Sequence, residues 1–172
     1  QAGMPQAGHQ ELRGLSWGDY DGDGDVDLLG GPTKADRATV VLRNDGGRFT
    51  DVAAEIGLAM PGRSARQTNW IDYDGDGDLD VYATNRGAGA NALYRNDAGR
   101  FTRVESGAPD DPRPTVGACW FDMDEDGDPD VFLANQAGAS DALWRNDGGT
   151  FTDVAPALGM TGPARTKDEG GV

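Results

Sequence analysis

The chain has 172 residues, 30 acidic and 15 basic, for a formal net charge of −15, and carries one Cys and one His. One Cys allows no internal disulfide or cysteine-rich zinc site, and a lone His9 allows no multi-histidine centre, which argues against thiol- and imidazole-based chemistry. The acidity argues equally against sequence-independent binding to nucleic acid or anionic membranes, and no apolar run reaches the roughly 20 residues of a membrane-spanning helix.

In chain order, residues 1–14 carry Met4-Pro5, which is similar to Met60-Pro61 and reads as the tail of a preceding unit. A short strand is predicted at residues 15–17, an acidic window at 19–27 and a β-prone run at 26–29. Leu42-Arg43-Asn44 then leads into Asp45-Gly46-Gly47, residues that tolerate the positive φ of a tight turn, and Phe49-Thr50-Asp51-Val52 reads as the returning strand. Residues 53–58 offer a single helical turn at most. The order returns with a strand at 68–71, an acidic window at 72–80, a run at 79–84 and the hairpin Leu93 to Val104. It returns again with 118–121, 122–130, 131–134 and Leu143 to Val154. The windows open at Asp19, Asp72 and Asp122, and two different signatures kept in order three times define a unit of about 52 residues.

Four short strands at this period describe a β-propeller blade. The expected fold is therefore all-β: one repeat domain over residues 1–172, with blades at 15–60, 61–110 and 111–160 and a next blade beginning at 161–172. Three blades are too few for a usual ring. The expectation is a piece of a longer propeller or a subunit that completes one with copies of itself, two copies giving six blades.

The three windows hold 16 of the 30 acids and no Lys or Arg, while the remaining 14 acids face 15 bases. Confining the anionic excess to three segments is the pattern of cation sites, not of a disordered chain. All three fit D-x-D-x-D-G-x-x-D: Asp19, Asp21, Asp23, Asp25 and Asp27; Asp72, Asp74, Asp76, Asp78 and Asp80; Asp122, Asp124, Asp126, Asp128 and Asp130. Carboxylates at positions 1, 3, 5 and 9, with a main-chain carbonyl from position 7, can wrap one hard cation, and Gly24, Gly77 and Gly127 at position 6 permit the sharp turn. The carboxylates of Asp25, Asp78 and Asp128 are left to tune the field. Ca²⁺, one ion per repeat, suits a flexible shell of about six to eight oxygens better than Mg²⁺ does, and transition metals prefer the imidazole or thiolate missing here. A plain solvated acidic turn does not explain three aligned copies. An EF-hand needs a Glu at position 12 and a following helix, where this chain has Gly30, Ala83 and Leu133 in strand-like sequence. Glu125 and Pro129 make the third loop atypical.

This loop between an aromatic-bearing strand and an apolar one, followed by L-x-R-N and F-T-x-V, resembles the FG-GAP or VCBS repeat, the unit of integrin α-subunit propellers and of many secreted acidic proteins. The resemblance runs from about residue 12 to residue 160. It implies a calcium-stabilised, extracellular propeller serving adhesion, protein binding or carbohydrate binding, with the loop carboxylates and the position-7 carbonyl as ligands.

Other residues carry less. Trp17, Trp70 and Trp120, each two residues before a loop, are expected to pack between blades, whereas Trp144 replaces Tyr94 and is the better candidate for exposure. Arg43, Arg95 and Arg145 are expected to pair with a loop carboxylate or a neighbouring blade, and Cys119 to be an inert strand residue. The Gly-Ala stretches at 86–90 and 136–140 lack phosphate-loop chemistry. The leading expectation is a calcium-binding, non-enzymatic module for extracellular recognition, adhesion or scaffolding, secreted or at a cell surface. Its partner is a protein or glycan, with no nucleic acid and no membrane insertion. The alternatives are a lectin-like propeller and an accessory module of a secreted hydrolase or lyase. The last would have to rely on acids outside the loops, such as Asp110, Asp111, Asp168 and Glu169.

Overall fold

The computed structural model describes residues 11–87 and 89–160. They form twelve strands: β1 (Leu12–Gly18), β2 (Asp27–Pro32), β3 (Val40–Asp45), β4 (Arg48–Asp51), β5 (Ala65–Ile71), β6 (Asp80–Asn85), β7 (Ala92–Asp97), β8 (Arg100–Arg103), β9 (Thr115–Phe121), β10 (Asp130–Asn135), β11 (Ala142–Asp147) and β12 (Thr150–Asp153). Consecutive groups of four make three antiparallel sheets in which every strand neighbours the next in sequence. The all-β, three-repeat expectation holds, and the described residues do not close a ring. The expected remnants of neighbouring blades at residues 1–10 and 161–172 lie outside the described residues, as do His9, Asp168 and Glu169.

Local chemistry explains each sheet. The third and fourth strands join through two-residue turns, Gly46-Gly47, Ala98-Gly99 and Gly148-Gly149, whose φ angles are all positive. That is the hairpin turn whose twist matches the flanking strands. β2 and β6 are buried along their whole length, so they carry short apolar runs with no polar alternation. The first strand of each sheet starts earlier than its sequence pattern predicts. Pairing with the next strand slips between Arg13 and Ser16 and between Ala65 and Thr68, and in the third sheet between Ala134 and Asn135. A bulge breaks the two-residue period, so Leu12 and Arg13 do not read as strand although they pair with Pro32 and Gly31 of β2. The turn at 53–57 is held by Ile56 N–H on the Val52 carbonyl at 3.0 Å and Leu58 N–H on the Ala53 carbonyl at 2.8 Å.

The sheets stack with β1 against β5, and β5 and β6 against β9. Between the first two lies a core of Leu29, Val41, Ile56, Leu58 and Met60 from one side and Val81, Ala83, Tyr94 and Phe101 from the other. Between the second and third, Tyr73, Tyr82 and Leu93 meet Val131, Leu133, Ala142 and Phe151. Tyr20 stacks on Trp70 at 5.7 Å with the rings 5° apart, and Trp120 sits edge-on to Tyr82 at 5.3 Å. Trp70 and Trp120 thus pack between sheets as expected, but Trp17 does not: it is half exposed on the free face of the first sheet, against Phe49 alone among aromatic rings. Trp144, the better candidate for exposure, is more open than the buried Tyr94 that it replaces, though it packs partly against the second core.

Ile56 and Leu158 hold equivalent places, each N–H bonding the carbonyl four residues back. Ile56 is buried and Leu158 exposed. Ile56→Ala is therefore expected to cost about 2–5 kcal/mol in denaturant unfolding, and Leu158→Ala in the monomer less than about 0.5 kcal/mol. Equal costs at the two sites would contradict the stacking order.

Candidate metal centres

Each acidic loop is wound around its first carboxylate. Asp19 Oδ1 accepts N–H from Gly22 and Asp23 at 2.9 and 3.1 Å, and Oδ2 accepts from Gly24 at 2.9 Å. Asp72 takes Gly75 and Gly77 in the same way, and Asp122 takes Glu125 and Gly127. This winding requires a positive φ at position 6, where Gly24, Gly77 and Gly127 lie at +94°, +93° and +97°. Position 4 also needs one. Gly22 and Gly75 supply it freely at +72° and +73°, but the third loop places Glu125 at +63°, a left-handed conformation that costs a side-chain-bearing residue roughly 1–2 kcal/mol.

The ninth position closes the loop. Asp27, Asp80 and Asp130 are fully buried, and each clamps two backbone segments. One oxygen accepts the N–H of position 2 (Tyr20, Tyr73, Met123) at 3.2, 3.1 and 2.6 Å. The other accepts the N–H of Asn44, Asn96 and Asn146 in the third strand at 2.8, 2.7 and 2.7 Å.

Positions 1, 3 and 9 converge. Asp19, Asp21 and Asp27 each offer an oxygen within 4.8 Å of the others, as do Asp72, Asp74 and Asp80, and Asp122, Asp124 and Asp130. Two oxygens bound to one Ca²⁺ at about 2.3–2.6 Å stand no more than about 5 Å apart, so the groups have the right span. An all-oxygen, all-anionic donor set is that of a hard cation. Asp74 Oδ1 is moreover buried with no donor on it, as a ligand oxygen would be. Asp23, Asp76 and Asp126 at position 5 stay outside these groups. Their Oδ1 atoms accept the position-7 N–H at 2.8, 2.9 and 2.9 Å. The carboxylates of Asp25, Asp78 and Asp128 point elsewhere, each Oδ2 tying the hairpin turn through Gly46, Ala98 or Gly148 N–H at 2.7, 3.2 and 2.7 Å. Beside the field-tuning role expected of them, these carboxylates thus hold the hairpin turn against the loop.

The sequence singled out the arginines of L-x-R-N, yet the asparagines do more. Arg43, Arg95 and Arg145 form their ion pairs with Asp45, Asp97 and Asp147 two residues along the same strand, at 3.2, 2.9 and 2.8 Å, and not with a loop carboxylate, although Arg43 also hydrogen-bonds the Tyr20 side chain of its loop. Asn96 donates its amide to the carbonyls of Leu79 in its own loop and Tyr20 in the preceding loop, at 3.1 and 3.0 Å. Asn146 does the same to Pro129 and Tyr73 at 3.2 and 2.8 Å. The recurrence of Asn beside each hairpin was the available signal.

The FG-GAP-like repeat model matches the chain at residues 19–83, 72–133 and 122–167. The crystal structure of the V. cholerae biofilm matrix protein Bap1 aligns over 83% of this chain at 15% identity, with a TM-score of 0.38. That alignment spans 30% of the Bap1 chain. No curated protein matches.

Against protein neighbours alone, burial pushes Asp27 up to about 6 and Asp80 up to about 7, against the two N–H bonds that each accepts. Desolvation also raises Asp21 and Asp74. Both clamps lie above the unfolded carboxylate value of about 3.9, so protonation favours the fold. The contribution is complete below the unfolded value and is lost as pH rises through 6 and 7. Metal-stripped protein should therefore melt lower at pH 8 than at pH 5, and the gain from a divalent cation should widen over the same range. A metal-free melting temperature that rises across it would contradict this. Glu125→Gly should relieve the strained loop and raise stability by roughly 0.5–1 kcal/mol, measured in chelator; a loss would place the cost elsewhere.

Proposed function

The chain belongs to the FG-GAP-like repeat family, and from that premise we propose that it is a calcium-binding, non-catalytic module for recognition or scaffolding outside the cell. The observation that carries the reading is the threefold recurrence of one donor set, carboxylates 1, 3 and 9 within 4.8 Å, on one set of backbone hydrogen bonds. Asp19, Asp72 and Asp122 organise the loop, Asp21, Asp74 and Asp124 bring a second anionic oxygen, and Asp27, Asp80 and Asp130 anchor the group to the sheet. A bound Ca²⁺ supplies the positive charge that lets these carboxylates stay ionised side by side. Extracellular calcium is millimolar, and modules of this kind bind with dissociation constants of about 10⁻⁴–10⁻³ M, so weak sites fill there and empty inside a cell.

The non-catalytic reading is supported by the engagement of acids outside the loops. Asp111 is buried and held by Arg113 at 2.7 and 2.5 Å, an ion pair that Asp153 joins at 3.3 Å. Asp110 lies 3.4 Å from Arg103. Neither is an unpaired acid or base facing a cleft.

Melting with calcium and with EDTA tests the metal role. At a hundredfold excess over the dissociation constant each site adds about 2.7 kcal/mol, lost on chelation, and Asp72→Asn should remove one site's share. An unchanged melting temperature would count against structural calcium. Activity that survived Asp19→Ala, Asp72→Ala and Asp122→Ala but ended with Asp110→Ala would favour the enzymatic alternative.

A further inference from the structure

We propose that the second repeat carries a binding groove for a carboxylated sugar, lined by Tyr73, Arg95, Asp97, Thr102, Arg103 and Val104. The inference deepens the recognition reading and rests on it, but it does not rest on calcium. The second sheet packs against a sheet of this chain on either side, so the groove is not an end face of the stack.

The groove exists because the second repeat departs from the other two. After the first and third sheets the chain makes a tight turn, at 53–57 and 155–159. Each turn is capped by the Asp that ends the fourth strand. Asp51 Oδ1 accepts the N–H of Val41 and of Ala53 at 3.4 and 3.2 Å, and Asp153 Oδ1 accepts that of Leu143 and of Ala155 at 3.4 and 3.1 Å. The second repeat has Arg103 in this place, and a guanidinium accepts neither bond. Its linker is shorter as well, 11 residues (104–114) where the first two sheets are joined by 13 (52–64), and residues 106–108 make only bends. In the first repeat the turn sets Glu55 and Ile56 beside Tyr20 and Arg43, and the cleft left there is about 240 Å³. Without the turn, the space over Tyr73 and Arg95 reaches about 380 Å³, inside the roughly 300–1,000 Å³ of small-ligand pockets. A repeat that gives up its own capping residue breaks a local rule, and such breaks collect at functional sites.

The same substitution replaces an anion by a cation. Arg95 donates to Asp97 through Nε and Nη2 at 3.3 and 3.0 Å, which leaves its Nη1 edge to the groove. Arg103 meets Asp110 at 3.4 Å and Glu105 at 4.0 Å, long and partly exposed pairs of little strength, and its Nε is buried with no acceptor. Nothing strong holds this head group, so it can turn that donor towards an incoming carboxylate, which two guanidinium groups suit. Asp97 and Thr102 accept hydrogen bonds from hydroxyl groups, and Tyr73 and Val104 supply apolar surface. A uronic acid presents the matching set on one rigid ring, a carboxylate with several hydroxyl donors. An acidic peptide brings the carboxylate without the hydroxyls, and a phosphate dianion meets the charge of Asp97.

Calorimetric titration of the whole chain in calcium with a hyaluronan tetrasaccharide, up to about 10 mM, is the test. The wild type is expected to bind it at least tenfold more tightly than either the neutral N-acetylglucosamine tetramer or tetraglutamate. Arg103→Asp restores the residue of the other two repeats, so it should weaken binding at least tenfold while the melting temperature stays level or rises. Arg95→Gln should weaken binding as well. A wild type that does not bind the tetrasaccharide overturns the proposal, and so does binding that survives Arg103→Asp. Equal or tighter binding of tetraglutamate assigns the groove to an acidic peptide and overturns the sugar, and equal binding of the neutral tetramer overturns the role of the carboxylate. Calcium-dependent melting reads the metal role separately, and Arg103→Gln replaces Arg103→Asp if that variant does not melt cooperatively.

Discussion

A carboxylate buried at the end of an acidic loop is the constraint on which each repeat depends. Burying an ionised Asp is costly unless every oxygen has partners. Asp27, Asp80 and Asp130 find theirs in two backbone N–H groups from segments far apart in sequence, the start of the loop and the third strand. Satisfying the carboxylate therefore fixes the loop against the sheet. Two neutral donors do not fully offset the desolvation, as the raised values at Asp27 and Asp80 indicate. The balance falls to a proton at low pH or a cation at higher pH, and two further carboxylates within reach make the cation the better competitor.

That local constraint becomes a global one through the asparagines. Asn96 holds the Asp80 clamp with its backbone, its own loop and the preceding loop with its side-chain amide, and the hairpin turn through the Gly99 N–H on its Oδ1 at 2.7 Å. One buried side chain thus joins two loops, a turn and two sheets. Tyr20 adds an apolar counterpart: its N–H meets Asp27, its carbonyl meets Asn96, and its ring stacks on Trp70. Adjacent repeats are coupled by residues that also shape the sites, so the stability of one repeat is not independent of its neighbours.

What the sequence made legible follows from the same physics. The loops, the hairpins and the repeat were readable because Asp, Gly and Asn-Asp-Gly are demanded locally, by turn geometry and positive φ. The extra residues of β1 and β5 were not, because a bulge spoils the alternation that marks a strand. Which carboxylates converge was largely legible: spacing named those at positions 1, 3, 5 and 9 in each loop, but only the fold shows 1, 3 and 9 grouped and position 5 accepting a backbone N–H. The roles of Asn96 and Asn146 depend on a contact between repeats, which no single repeat's pattern contains. Trp17 was misjudged for the complementary reason. Its position repeats, but its neighbour does not.

The third loop shows how site and stacking interact. Its position 2 is Met123, which has no following sheet among the described residues to pack against, whereas Tyr20 and Tyr73 are buried in the cores that follow them. Its position 4 is a strained Glu125. The Met123 N–H still clamps Asp130, so the loop folds, but without the apolar contact that holds the first two loops in place. The three acidic loops therefore differ by position in the stack, and the excess negative charge of the chain is concentrated where repeats meet.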